Sequence, residues 1–401
     1  MNAPAMRPVA AGVAFGALVS VLAAYHQFKL PPVLPVLIEL YGHDARLAGG
    51  FMSVYALAGL LLSPLLGRFI ERDGVPRYLF AGFALLAAGC AIGLVLPGSG
   101  MAMLLARGLE GAGFAALAIV GPVLVARHAG PAHAALATGL VATWIPSGQL
   151  LANAIARFAV AADGWRLLWW VGLAATAAMA LWTARRAAAG VDAGLAVAGR
   201  GAATAATGGS RPLLWLSAAV FCLWSMQYFA YMTWLPTFLV TVHGLAPDSA
   251  VAGYTVPVAV LIVFNLVTGW LLKRGVPVAP LLAGALAGQA AVWAALPVTG
   301  GGWPGLLSLI AYGIGAGIAP TCLFGLPRAI EGGGRAGAFA TLMTGRNLGV
   351  LAGPLLLAWL LDATGGWTAA GPVFAVTTAT ALLVSLWLAV RLARRRQPAM
   401  D

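Results

Sequence analysis

Apolar residues run through this chain in long blocks rather than in alternation. Cut at their polar breaks, the blocks give twelve stretches of about membrane-crossing length. They lie near Val9–Leu37, Leu47–Leu66, Tyr78–Leu96, Met101–Ala126, Ala134–Val160 and Trp165–Thr183. A second set follows near Leu213–Val242, Ala250–Leu272, Val278–Leu296, Leu306–Leu326, Ala336–Leu361 and Pro372–Leu392. A backbone in hydrocarbon has to satisfy its own polar groups, so these stretches predict helices rather than strands. Tilt accommodates those that are longer than the bilayer requires. The fold class expected is an all-α membrane protein of twelve transmembrane helices.

The polar break from Ala184 to Pro212 differs from the others. It is rich in Ala, Gly and Thr, carries Arg185, Arg186, Arg200 and Arg211, and has few large apolar residues. That composition predicts a flexible linker, 184–212, between an N-terminal six-helix bundle, 1–183, and a C-terminal one, 213–401. The halves share landmarks at a near-constant offset. Pro35 and Pro236 are 201 apart, Gly67 and Gly269 are 202 apart, and Gly148 and Gly349 are 201 apart. Gly111 and Gly113 pair with Gly315 and Gly317 at 204. Such an offset predicts internal duplication and two pseudo-symmetric bundles.

Composition narrows the solvent. Charged residues make up 8% of the chain and hydrophobic residues 61%, against about 25% charged in an ordinary soluble domain. Mean hydropathy is +0.93. A water-soluble fold could not hide that much apolar surface. Sorted by span, 17 of the 23 Lys and Arg residues fall on the side that holds both termini, three on the other side, and three inside spans. Retention of Lys and Arg on the cytoplasmic side during insertion predicts cytoplasmic termini and a multi-pass location in the cytoplasmic (inner) membrane. No small-residue cleavage pattern follows Val9, so the first span is expected to stay.

The net charge of +12 points to no nucleic acid. The basic residues are spread over short loops and one tail, so membrane lipids with anionic headgroups are the expected partner. Cys90, Cys222 and Cys322 sit in apolar stretches at wide spacing and imply neither disulfides nor a metal site. No phosphate-binding loop, HExxH pair or carboxylate cluster is present. No catalytic residue, metal or cofactor is expected, and the chain is not expected to be an enzyme.

Three motifs carry a family resemblance. The segment after the second span reads Gly67-Arg68-Phe69-Ile70-Glu71-Arg72-Asp73-Gly74. The fourth span carries Arg107-Gly108-Leu109-Glu110-Gly111-Ala112-Gly113, and Gly164-Trp165-Arg166 leads into the sixth. Together they resemble the major facilitator superfamily of secondary transporters. The seventh span, with Tyr231-Met232-Thr233-Trp234-Leu235-Pro236, resembles its porters of small anions, of the cyanate, nitroimidazole or monocarboxylate kind. The resemblance implies two six-helix halves that alternate access to a site between them, and a cytoplasmic latch at Gly67, Glu71, Arg72 and Gly74. In the first of these motifs Glu71 stands where the family usually has Asp. The fifth span, at Gly148 to Asn153, lacks the closing Gly-Pro common in drug exporters of the family.

Buried polar residues refine the expectation. A charge near the bilayer centre costs about 2.5–3.5 kcal/mol on insertion scales, so it should have a partner or a task. Arg107 and Glu110, three apart on one helix face, can pair, and with His26 they are the candidates for proton coupling. Arg346 lies near mid-depth of the eleventh span, and Lys29 in the outer half of the first. Arg can grip a carboxylate through two parallel hydrogen bonds. The expected site is a small organic anion held by Arg346 and Lys29, with Gln27, Tyr228, Tyr231 and Asn347 adding neutral hydrogen bonds. The expected function is proton-coupled symport of that anion, with a monocarboxylate as one class, by a monomer. A proton-driven exporter of hydrophobic compounds and a non-transporting membrane sensor are the alternatives.

Overall fold

The computed structural model describes residues 3–73, 75–129, 143–158, 164–189, 211–331 and 336–396. Among them the chain is helical almost throughout, with no strand. The first unit holds α1 (Ala3–Phe28), α2 (Leu34–Tyr41), α3 (Ala45–Asp73), α4 (Val75–Val95), α5 (Gly100–Ala129), α6 (Trp144–Ala156) and α7 (Arg166–Ala188). Then come α8 (Arg211–Thr241), α9 (Pro247–Lys273), α10 (Val278–Ala295), α11 (Trp303–Glu331), α12 (Ala336–Thr364) and α13 (Ala370–Arg396). Eleven stretches, counting α1 and α2 together, are long and apolar enough to cross a membrane. The expected fifth span, Ala134–Val160, is represented by α6, and the remainder lies mostly outside the described residues.

Two boundaries differ from expectation for physical reasons. The first span is not one helix to Leu37. It breaks after Phe28 and resumes at Leu34 through a single 3-10 turn, Pro31–Val33. Pro31 and Pro32 have no N–H to give, so the carbonyls of Gln27 and Phe28 lose their helical partners. Nor does the second helix stop near Leu66, because α3 continues to Asp73. Arg and Glu are good helix formers, and Arg68, Glu71 and Arg72 carry the helix past the apolar stretch. The side chains of Glu71 and Arg72 and all of Gly74 lie outside the description, so the latch residues stay a sequence expectation. Most of the expected linker, 190–210, lies outside it too.

The described residues fall into two compact units, one within Met1–Ala202 and Ala246–Thr255, the other within Ala203–Leu245 and Val256–Asp401. In unit 1, α5 is the hub, with α1, α3 and α4 against it, while α6 packs on α1 and α7 on α4. In unit 2, α8 packs along α12 and α13, and α10 against α11 and α13.

Glycines set the closest of these approaches, and they recur at a near-constant offset in the two units. A Cβ at Gly148 would meet the Tyr25 backbone N at 2.5 Å, and one at Gly349 would meet the Met226 backbone N at 2.8 Å. Both residues of each pair are 201 apart. A Cβ at Gly111 would strike the Tyr55 carbonyl at 2.2 Å, and one at Gly313 the Pro257 carbonyl at 2.8 Å. Gly113 meets Gly82 and Leu86 as Gly315 meets Ala285 and Gln289. In α5 and α11 the equivalent residues are therefore 202 apart, not 204. The two Gly-x-Gly pairs of the sequence are out of register by two, because α11 carries a third glycine, Gly313. Gly42 and Gly244, also 202 apart, both adopt φ near +65° (65 and 66) where the first helix of each unit gives way. That is a left-handed conformation a side chain would strain.

Candidate functional site

The break after Phe28 builds the main polar cluster of unit 1. The Gln27 carbonyl, left without a Pro31 N–H, and its neighbour His26 O at the end of α1 both accept from Arg107 of α5. Its Nη1 donates to His26 O at 2.9 Å, its Nη2 to Gln27 O at 3.1 Å, and its Nε to Phe51 O at 3.3 Å. A helix C-terminus carries partial negative charge, which favours a cation there. Arg107 also lies over the Tyr55 ring, 4.4 Å from its centroid.

Glu110, one turn along α5, is the counterion. Its Oε2 accepts from Arg107 Nη1 and its Oε1 from Lys29 Nζ, the latter at 2.5 Å. Lys29 sits at the helix break, and each of its three ammonium hydrogens has an acceptor. Besides Glu110, Nζ lies 2.8 Å from Cys90 Sγ and 3.3 Å from His26 Nδ1. Its fourth neighbour is the Trp169 ring, 4.6 Å from the centroid. The Cys90 thiol donates in turn to Glu110 Oε1 at 3.2 Å. His26, Lys29, Cys90, Arg107 and Glu110 are all buried.

The hydrogen-bond pattern assigns the His26 tautomer. Thr176 of α7 donates its one hydroxyl hydrogen to Gly172 O at 2.7 Å, so it meets His26 Nε2, 3.0 Å away, as an acceptor. Nε2 then carries the proton and Nδ1 turns a lone pair toward Lys29.

Unit 2 repeats this cluster without charge. Gln227, Trp293 and Tyr312 stand 201, 203 and 202 positions after His26, Cys90 and Glu110. The Trp293 indole and the Tyr312 hydroxyl both donate to Gln227 Oε1, at 2.7 and 2.8 Å. Tyr231 stacks on Tyr312 with centroids 4.0 Å apart, inside an aromatic group that includes Trp293 and Phe374. The space beside it holds only about 10 Å³.

Arg346, on α12, has a different environment. It is 3% exposed. Its Nη1 donates to Asn347 Oδ1 at 3.1 Å, and the guanidinium lies 5.3 Å from the Phe229 ring centroid. Its Nη2 is buried with no hydrogen-bond partner, and no carboxylate pairs with it among the described residues. Tyr228, stacked on Trp224 at 4.9 Å, edges against the same Phe229.

The structure thus gathers His26, Lys29, Arg107 and Glu110 into one network and Arg346 with Asn347 into another. Lys29, expected as a second ligand for an anion, here has Glu110 as its counterion. Gln27 contributes its backbone carbonyl to Arg107, and its side-chain Oε1 is buried without a partner. Tyr231 belongs to the aromatic group around Gln227 rather than to the surroundings of Arg346. Cys90 and Thr176 were missed by sequence reasoning. Cys90 looked like a small buried hydrophobe, yet it touches two charges. The available signal was Gly89 beside it. A Cβ there would meet Ala106 O at 2.4 Å, so α4 and α5 cross closely at that level.

Comparison with known proteins gives the same architecture a family. Residues 13–330 match the family profile described as the Major Facilitator Superfamily. The chain is 37% identical to human (Homo sapiens) monocarboxylate transporter 11 over 180 residues, covering 39% of this chain and 38% of that one. It is 31% identical to the putative uncharacterized transporter YgaY of Escherichia coli over 169 residues, covering 40% of this chain and 41% of that one. The matched region spans about two fifths of the length of each relative.

Proposed function

The chain belongs to the Major Facilitator Superfamily and is a multi-pass membrane transporter, and from that premise we propose that it moves a small organic anion, with a monocarboxylate as the leading class, across the cytoplasmic membrane together with a proton. The observation that carries this reading is Arg346. A buried cation with no counterion among the described residues and an orphaned donor is costly to keep. A carboxylate that accepts two parallel hydrogen bonds from the guanidinium removes that cost. The name of the human relative, a monocarboxylate transporter, supports the same class.

The unit 1 network supplies a coupling rule. While Glu110 is ionised, it holds Lys29. Once Glu110 takes a proton, Lys29 loses its counterion and becomes available to an anion. Anion affinity then rises with the proton bound, and binding of both keeps the total charge unchanged. Alternating access by the two halves, with both termini cytoplasmic, completes the scheme. Arg107, fully engaged with the α1 carbonyls, positions Glu110 rather than carrying the proton.

The test is uptake of labelled small carboxylates into proteoliposomes with an imposed pH gradient. Acid outside should drive accumulation. Glu110→Gln should leave residual transport that no longer responds to the gradient, and Arg346→Ala should abolish uptake. Uptake of the same size in the Arg346→Ala protein removes the anion assignment, and accumulation independent of pH removes the proton.

A further inference from the structure

The donors around Lys29 form a cation cage. His26 Nδ1, Cys90 Sγ and Glu110 Oε1 come from α1, α4 and α5, all lie within 4.8 Å of one another, and all are buried. They converge on one point, and the Lys29 ammonium fills it. An imidazole nitrogen, a sulfur and a carboxylate oxygen, one of each, is a donor set for a borderline-soft metal ion rather than for sodium or magnesium. The imidazole is already held in the ligating tautomer: Nε2–H donates to Thr176 Oγ1 and Nδ1 is left with its lone pair, the orienting contact metal-bound histidines usually have.

We infer that this cage is a binding site for Zn2+, which enters in place of the Lys29 ammonium. The charge accounting favours the exchange. Zn2+ brings two positive charges, Lys29 leaves with one, and Cys90 loses its thiol proton to solvent as the zinc–sulfur bond forms. The net charge of the cage and its neighbour Arg107 is the same before and after. Lys29 sits just past the end of α1, before the 3-10 turn, and its backbone N bonds Tyr25 O at 2.9 Å, so the exchange asks its side chain to move and not the helix. Zinc in the cage fixes Glu110 in its ionised form and keeps Lys29 out, so it arrests the coupling step. That consequence rests on the transport reading, whereas the binding site does not. The corresponding cluster of unit 2, Gln227, Trp293 and Tyr312, offers no such donor set, and among the described residues His26, Cys90 and Glu110 form the one group of this kind.

The experiment uses the full chain, purified in detergent and stripped with chelator, in a Cys222→Ser/Cys322→Ser background that leaves Cys90 as its one thiol. Zn2+ binding is followed by equilibrium dialysis, and the metal's surroundings by X-ray absorption. The expected result is one Zn2+ per chain with a sulfur neighbour at about 2.3 Å. Affinity should rise at least tenfold in Lys29→Ala, where the resident cation is gone, and fall at least tenfold in Cys90→Ser. Absence of saturable binding in both the background protein and Lys29→Ala overturns the inference. So does a zinc shell without sulfur, or an affinity indifferent to Cys90→Ser, either of which marks a surface histidine site. The absorption spectrum decides the matter on the background protein alone if a variant fails to fold. Because binding is read without transport, an absent zinc site leaves the anion reading standing, and failed uptake leaves the zinc site standing.

Discussion

Replacing Glu110 by glutamine removes the carboxylate on which two buried cations, Lys29 and Arg107, depend. Removing one partner of a buried ion pair costs about 3–5 kcal/mol, because the other charge stays in place without compensation. Here one carboxylate serves two cations, which puts the cost at the upper end. Glutamine keeps the shape and one acceptor for Lys29, which returns about 1 kcal/mol. A net loss of about 3–4 kcal/mol corresponds to a fall in melting temperature of roughly 6–16 °C for a unit of this size, at about 2–4 °C per kcal/mol. Thermal unfolding in detergent, followed by tryptophan fluorescence, reads it. Adding Lys29→Met to Glu110→Gln removes one of the stranded charges and should restore about 1–3 kcal/mol, the range expected for coupled neighbours. A single variant that melts within about 2 °C of the wild type, or a double variant whose losses simply add, refutes the network as drawn.

Other consequences are independent of that one. Gly349→Leu should cripple folding, because its Cβ would lie 2.1 Å from the Cys222 carbonyl. Its counterpart Gly148→Leu should do the same, whereas Gly269→Leu, with nothing within 4 Å of its Cβ, should express normally on a blot of membrane fractions. Tyr312→Phe removes one of the two donors to Gln227 Oε1. It should cost about 1 kcal/mol in thermal unfolding and leave the pH dependence of uptake as it was, since the unit 2 cluster carries no charge. Thr176→Val releases the His26 tautomer. It should lower the response of uptake to an imposed pH gradient several-fold while changing uptake at equal pH little.

Much of the architecture was legible in the sequence because lipid leaves so few options. Spans, their helical state and the offset of about 200 residues follow from block hydropathy and repeated glycines. Arg107 and Glu110 were readable as partners because one helix fixes both. Lys29 and Glu110 were not, since 81 residues separate them and only the rotation of α1 against α5 brings them together. In a soluble protein an apolar stripe reveals that rotation. In a membrane both faces of a helix are apolar, and only small residues betray the contact side. The register error in α11 has the same origin: three glycines, Gly313, Gly315 and Gly317, offer two alignments to Gly111 and Gly113, and only the facing Pro257 and Gln289 choose between them. The break at Pro31 and Pro32 was visible as prolines. Its consequence, a helix end whose His26 and Gln27 carbonyls recruit Arg107, needed the packed helices.

The claim that Arg346 awaits an anion can be met most directly by ligand-induced thermal shift on the wild type and Arg346→Met with a panel of small carboxylates and size-matched amines. At a hundredfold excess over its dissociation constant a ligand stabilises by about 2.7 kcal/mol, a shift of several degrees. The account predicts that at least one carboxylate, and no amine, raises the melting temperature of the wild type. It predicts that Arg346→Met melts no lower without ligand, having lost a buried cation with no carboxylate partner among the described residues, and does not respond to that carboxylate. Equal stabilisation of both proteins by the same carboxylate would contradict it.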